Sequence, residues 1–227
     1  WPDEALYIWY GYKLLHSPSY FFSSEFSHTI SYFPSIIIAV LSIFFSSFVA
    51  GKIMSLLFGL AGITFAYLLG REIKDGFIGL IAAILLSFNY IHWFYSDRVL
   101  LDVPLTAMFI ITAYFLVRYD KMQNKKAAIW LAIAMALTIY TKVAGILVIP
   151  IVGLYFLAVH KKNVLGLFKR KDILWMIAIF IILMMPLAII NLVNFGGLTE
   201  ESPGRYISAE EAGANKLQPS KDFIAPT

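Results

Sequence analysis

Apolar residues run along this chain in long blocks, and polar residues gather between the blocks. Six blocks, 53–70, 77–95, 101–118, 127–142, 143–160 and 172–193, read as membrane-spanning helices. Each supplies about 16–22 mostly apolar residues, close to the roughly 20 that a bilayer core requires. Basic residues mark three of the connections: Arg71 and Lys74; then Arg118, Lys121, Lys125 and Lys126; then Lys161, Lys162, Lys169, Arg170 and Lys171. These two, four and five residues make eleven of the 18 Lys and Arg, and the positive-inside tendency places their loops on the cytoplasmic side. Two crossings must then lie between successive basic loops. That parity settles the 34-residue apolar run 127–160. As a single helix it would be about 51 Å long at 1.5 Å per residue, so two short helices are expected, meeting on the outer side near Thr141, Lys142 and Gly145.

The same parity puts residues 1–52 outside the cytoplasm. Within them 36–50 (IIIAVLSIFFSSFVA) carries only about 15 apolar residues, short for a crossing, and is expected as an interfacial or re-entrant helix. Residues 4–15 (EALYIWYGYKLL) also read as an interfacial helix, because Tyr7, Trp9, Tyr10 and Tyr12 are the amphipathic rings favoured at headgroup level. Residues 17–35 form a Ser- and Phe-rich loop, and 194–227, polar and rich in Gly and Pro, an outer loop or tail. The expected architecture is all-α: an outer loop with interfacial helices over 1–52, a polytopic transmembrane helical bundle over 53–193, and an outer tail.

Composition agrees. Hydrophobic residues make up 60% of the chain and charged ones 14%, with a mean hydropathy of +0.77. A soluble domain usually carries about 25% charge, so lipid must cover part of this surface. The net charge of +4 belongs to topology and points to no nucleic-acid partner. With no cysteine, disulfides, thiolate nucleophiles and thiolate metal sites are excluded. The chain begins at Trp1 without a methionine or visible signal peptide, and reads as a fragment of a longer protein.

Chemistry is confined to a short set of outer-side groups: Asp3, Glu4, Lys52, Asp97, Arg98, Asp102 and Lys142. Asp3 and Glu4 suit a general base for a hydroxyl; they equally suit a helix start, where an acidic cap meets the helix dipole. Arg98 and Asp102, in YSDRVLLDVP, fit an i,i+4 ion pair. With Asp97 they also fit a phosphate site or a site for Mg²⁺ or Mn²⁺, since Arg grips phosphate and carboxylates join substrate phosphates around such ions. Lys142 and Lys52 either snorkel to headgroups or neutralise a lipid phosphate. His16, His28 and His92 show no metal-ligand spacing, and His92 reads as interfacial; His160 suits a helix C-terminus.

Three passages carry a resemblance. WPDEALYIWYGYKLL resembles the first outer loop of the GT-C membrane glycosyltransferases, where an acidic pair follows the first span. GKIMSLLFGLAGITFAYLLGREIKDGFIGLIAAILL resembles their next two spans. YSDRVLLDVPLTAMFIITAYFLVR with IYTKVAGILVIP resembles later spans of the protein O-mannosyltransferase and lipid A aminoarabinose transferase branch. The likeness covers most of 1–160. YFPS, at 32–35, departs from it, standing where many relatives carry a double proline that bears on donor contacts. The spanning helix that normally precedes the acidic pair, and the large outer domain after the later spans, are absent from this sequence. The resemblance implies a plasma-membrane transferase moving sugar from a polyprenyl-phosphate donor to a protein, lipid or glycan acceptor on the extracytoplasmic side. It implies Asp3, with Glu4, as the catalytic carboxylates, and Arg98, Lys142 and Lys52 as ligands of the donor phosphate. It leaves room for a divalent cation, Mg²⁺ or Mn²⁺, on Asp97 and Asp102. The mechanism would be an inverting displacement. A transporter or flippase, a membrane ligase of the polymer-assembling kind and a non-catalytic accessory subunit are the alternative readings. The spans carry almost no mid-membrane charge and no repeat is apparent, unlike a typical transporter.

Overall fold

The computed structural model describes residues 2–27, 31–160, 166 and 170–195, and these contain helices and turns but no strand. The helices, in chain order, are α1 (Pro2–His16), α2 (Ser24–Ser27), α3 (Tyr32–Leu41), α4 (Ser47–Ile73), α5 (Gly76–Ser87), α6 (Tyr90–Ser96), α7 (Asp102–Met122), α8 (Lys125–Thr141), α9 (Val148–His160) and α10 (Lys171–Phe195). Short 3₁₀ turns, Pro18–Phe22 and Val143–Leu147, precede α2 and α9. Ser46, Asp75, Asn89 and Asn124 start four of the helices, each accepting the backbone N–H three residues on. That bond satisfies one of the donors a helix start leaves open. Gln123 stops α7 in the left-handed conformation, with φ of 46°.

Among the described residues, four helices are long and apolar enough to cross a membrane: Ser47–Ile73, Asp102–Met122, Val143–His160 and Lys171–Asn194. The pair α5 and α6 would make a fifth as one bent span. The chain is thus an all-α, multi-pass membrane protein. α8, the remaining expected span, has 17 residues and is about 26 Å long at 1.5 Å per residue. It is the most enclosed helix, with Ala127, Ala128, Ala132, Ala134 and Ala136 all buried and α7 and α10 packed closely on it.

Several expected boundaries shift. The stretch 36–50 is not one interfacial helix: α3 ends at Leu41, a turn follows, and 47–50 already belong to α4. Serines cause the split, since Ser42 bonds Ser47 at 3.3 Å and Ser46 caps α4. The span expected over 53–70 therefore begins six residues earlier and ends at Ile73. The span expected over 77–95 breaks after Ser87, and its two pieces bend by 64°. The run 127–160 divides at Lys142, whose backbone is extended, with φ of −161° and ψ of 149°. Gly145 fits beneath that turn only because it has no Cβ, which would strike the Thr138 carbonyl. The interfacial helix expected over 4–15, and the spans expected over 101–118 and 172–193, run slightly longer, as α1, α7 and α10. Residues beyond 195, and most of the third basic loop, lie outside the described residues.

Packing follows membrane rules. Along α4 the buried positions include Ala50, Gly51, Ser55, Gly59, Gly62, Ala66 and Gly70, whereas Leu56, Leu57 and Leu60 face outward. Hydrocarbon gives helices no hydrophobic reason to associate, so small residues bring backbones into van der Waals contact. At Gly70 backbone meets backbone: a Cβ there would lie 2.8 Å from the Cα of Gly79 on α5. Polar contacts collect at the two ends of the bundle. On the face of the basic loops Lys121 meets Glu72, His160 meets Asp120 at 3.0 Å, and Tyr119 donates to Asp172 at 2.6 Å.

A Cβ on Gly79 would collide with the Tyr67 carbonyl, a backbone atom that cannot swing aside. Gly79→Ala should therefore destabilise the bundle by about 1–3 kcal/mol through overpacking. Gly153→Ala, where nothing lies within 4 Å, should not. Thermal unfolding of the two variants in lipid nanodiscs checks the contrast, and equal melting would count against this close packing of α4 on α5.

Candidate functional site

On the face opposite the basic loops, four chain segments meet: the first turn of α1, the start of α4, the α6–α7 connection and the α8–α9 turn. The connection, residues 97–101, is the centre. Val99 is fully buried, and Leu100 and Leu101 are almost so. Val99 seats on Gly51, where an added Cβ would lie 2.8 Å from its Cγ1.

Glu4 reaches down from α1 and accepts the Val99 N–H at 2.9 Å. Its other oxygen lies 4.0 Å from Arg98 Nη1. Burial pushes the Glu4 carboxyl up, but the Val99 N–H and nearby positive charge, that of Lys52 included, outweigh it and hold the group below the ordinary glutamate range. Asp3 is exposed. One residue of helix turns it about 100° away from Glu4. Tyr7, one turn on from Asp3, is half-buried. Burial pushes its phenol up to about 12, and the charges of Asp3 and Asp102 add to the effect.

The remaining candidates form two further pairs. Lys52 Nζ lies 3.4 Å from Asp97 Oδ2 and also donates to the Asp97 carbonyl. Lys142 Nζ bonds Asp102 Oδ1 at 2.9 Å. Arg98 stacks over the Phe94 ring at 4.9 Å. Lys52 and Arg98 share a groove of about 700 Å³ with Ile53, Leu56, Tyr90, Trp93 and Phe94. Lys142 does not line that groove.

Magnitudes separate what fixes this site from what merely occupies it. Asp97 is 82% exposed and Asp102 55%, and exposed ion pairs contribute about 0–1 kcal/mol each. Burying one Val or Leu side chain contributes about 1.5–3 kcal/mol. The loop is therefore held by Val99, Leu100 and Leu101, and its cations can change partners without releasing it.

The carboxylates expected to hold a metal meet lysines in this structure. Asp97 and Asp102 are each engaged by a lysine ammonium and line different cavities. The described residues hold no group of three His, Asp or Glu side chains able to share an ion. His92 is not the interfacial histidine expected: it is buried, with Nε2 3.2 Å from the Gly59 carbonyl. Gly59 and Gly62 of α4 lie beside its ring, and a Cβ on either would still be in ordinary contact with it. The Val99 N–H was also invisible as a site group, because nothing in an apolar triplet announces which N–H a distant carboxylate will find.

A family model described as dolichyl-phosphate-mannose-protein mannosyltransferase matches residues 30–190, which is 161 of the 227. The matched segment contains Lys52, Asp97, Arg98, Asp102 and Lys142, and Asp3 and Glu4 precede it. No curated protein and no solved structure matches the chain significantly.

Glu4→Ala leaves the Val99 N–H without its acceptor and should cost about 1–3 kcal/mol, whereas Glu4→Gln keeps an acceptor oxygen and should cost less. The charge also sets a pH dependence. A carboxyl held low in the fold takes up protons more readily when unfolded, so its stabilisation is complete above the ordinary glutamate range. It is lost as pH falls through the depressed folded value. The stability gap between wild type and Glu4→Gln should close on acidification, as unfolding in nanodiscs across pH would reveal. A gap unchanged into strong acid would show that the Glu4 charge is not what stabilises the loop.

Proposed function

The chain belongs to the dolichyl-phosphate-mannose-protein mannosyltransferase family, and on that premise we propose that its outer cluster transfers a sugar from a polyprenyl-phosphate donor to an acceptor hydroxyl. Membership makes it a membrane glycosyltransferase of the GT-C type. The observation that carries the finer reading is the groove in which Lys52 and Arg98 lie among Ile53, Leu56, Tyr90, Trp93 and Phe94. A lipid phosphate presents that combination: an anionic head for ammonium and guanidinium, and an apolar tail for aliphatic and aromatic walls.

The chemistry asks for a base and for positive charge at the leaving group. Asp3 takes the proton of the acceptor hydroxyl. The freed oxygen attacks the anomeric carbon from the face opposite the donor phosphate, forming the new glycosidic bond with inversion. The bond from that carbon to the phosphate oxygen breaks, and its electron pair leaves with the polyprenyl phosphate. A sugar phosphodiester with one negative charge thereby becomes a phosphomonoester that carries up to two. Arg98 and Lys52 stabilise that gain of charge as it develops. Lys142, held on Asp102, adds positive potential at the rim. No step requires a metal. The reading places the site on the extracytoplasmic side of the plasma membrane, and the family description makes a protein hydroxyl the favoured acceptor.

The test uses the full-length protein in membranes with a labelled polyprenyl-phosphate sugar. Asp3→Asn should lower transfer by about 10²–10⁴, the usual contribution of a positioned base, while binding of the bare lipid phosphate stays unchanged. Arg98→Ala should weaken that binding. Wild-type transfer by Asp3→Asn would sink the base assignment.

A further inference from the structure

At the basic end of the bundle, three cationic side chains have found carboxylates. Lys121 meets Glu72, Arg170 meets Asp172 and His160 meets Asp120. Arg118 is different. It lies four residues before Met122, the last residue of α7, about 6 Å inside the helix end, and it is half-buried. Its Nη1 donates to the Tyr114 hydroxyl, and its guanidinium lies over the same ring at 5.7 Å. No carboxylate pairs with it among the described residues. Beneath it an aromatic row crosses three helices. Phe65 of α4 meets Tyr114 edge-on at 5.4 Å, and Tyr114 meets Phe115 at 5.1 Å. Phe115 stacks on Trp130 of α8 at 5.9 Å, with the ring planes 14° apart. Trp130 is 46% exposed. Lys126, also exposed, is one turn from Trp130 on the same side of α8, nearer the helix start. Arg118 is one turn from Tyr114 on α7, nearer the helix end. The two cations therefore stand over one aromatic row. Lys125 turns away from it, with Nζ 3.6 Å from the centre of the Trp175 ring on α10.

We propose that this corner of α4, α7 and α8 binds one anionic phospholipid of the leaflet at the basic end. The site lies at the other end of the bundle from the outer cluster and is independent of the sugar-transfer reading. Orientation of the chain needs only basic residues in the loops, where Lys74 and Lys126 already stand. A half-buried arginine inside the helix end goes beyond that need. A cation so near hydrocarbon is expensive to keep without an anion, and Tyr114 supplies none. A lipid phosphate supplies one. The guanidinium fork matches phosphate oxygens two at a time, and Lys126 adds a second positive charge from the rim. The aromatic row decides between a lipid and a free anion. Tryptophan settles at headgroup level, with one end of the ring apolar and the other wet. Trp130 and Phe115 therefore lie where the glycerol and first methylenes of a lipid would cover them, whereas a free phosphate would leave them bare. Basic pockets between spans are a recurrent setting for anionic headgroups.

The experiment uses the full-length protein in nanodiscs whose lipids carry brominated chains, which quench nearby tryptophan fluorescence. Brominated phosphatidylglycerol, which is anionic, is compared with brominated phosphatidylcholine, which is not. Trp130→Phe identifies the share of the quenching that comes from this face. In wild type that share should show a preference for phosphatidylglycerol. Arg118→Gln should lower the preference by roughly tenfold, the scale of one charge-assisted hydrogen bond. Lys126→Gln should lower it by roughly fivefold, the scale of one lysine near an anionic surface. Lys126 is exposed, so its variant leaves the packing alone and carries the test if Arg118→Gln fails to fold. Lys74→Gln, on the α4–α5 turn, removes the same charge elsewhere on this end and should leave the preference as in wild type. Equal quenching of Trp130 by the two lipids in wild type overturns the proposal. So does a preference that survives Lys126→Gln, or one that Lys74→Gln lowers as far, since the attraction would then belong to the whole basic end and not to this corner.

Discussion

An ionised side chain at the centre of a bilayer costs at least about 2.5–3.5 kcal/mol, a large share of the roughly 5–15 kcal/mol by which a typical protein is stable. The main features of this chain can be traced to avoiding that cost. Its charged groups withdraw to the ends of the bundle, where Lys121 meets Glu72 at one end and Lys52 meets Asp97 at the other. Between the ends, helices must hold together without charge and without water to drive them, and glycine and alanine stripes on α4 and α8 do so by close approach. The same constraint concentrates chemistry. Groups from four distant parts of the chain have only two layers in which to settle, and the layer opposite the basic loops gathers Glu4, Lys52, Arg98 and Lys142 within reach of the α6–α7 connection.

That connection solves a problem that charged sites at membrane surfaces share. A loop held by its own ion pairs would loosen whenever a ligand claimed one of them. Here Val99, Leu100 and Leu101 anchor the backbone by burial, and Glu4 accepts the Val99 N–H. The cations on either side remain about one-third exposed, at 30% for Lys52, 33% for Arg98 and 35% for Lys142. An incoming anion can take a share of them while the loop stays in place, which is the preorganisation that electrostatic stabilisation of a leaving group requires.

How far the sequence foretold this depends on what each feature rests on. The helical class, the division of 127–160 at Lys142 and the gathering of distant charges on one face follow from hydropathy and loop charge, and these are linear properties of the chain. The bend at Phe88 and Asn89 is not. Both halves of 77–95 are apolar, so no change of period marks the break, and only the cap that Asn89 gives His92 fixes it. His92 reads as interfacial because Trp93 adjoins it, whereas it is buried with its ring against the Gly59 carbonyl, some thirty residues earlier on another helix. The metal reading of Asp97 and Asp102 treated the two as neighbours by sequence. Folding gives each its own lysine and its own cavity.

The acidic pair shows why two adjacent carboxylates serve better than one on the proposed mechanism. A general base works best when its affinity for the proton is matched to the reaction. Glu4 is poorly placed for that task, because the contacts that fix the loop also hold its carboxyl below the usual range. Strengthening the clamp weakens the base, so one group cannot do both well. Helix geometry separates the two duties: about 100° of rotation per residue turns Glu4 inward to Val99 and leaves Asp3 exposed and free of that bond. Tyr7, one turn further along, keeps its proton at neutral pH between the charges of Asp3 and Asp102. It can therefore donate a hydrogen bond beside a group that only accepts. On the proposed mechanism the order Asp-then-Glu at the start of α1 would thus divide holding from reacting between neighbours that helix geometry keeps from doing the same thing.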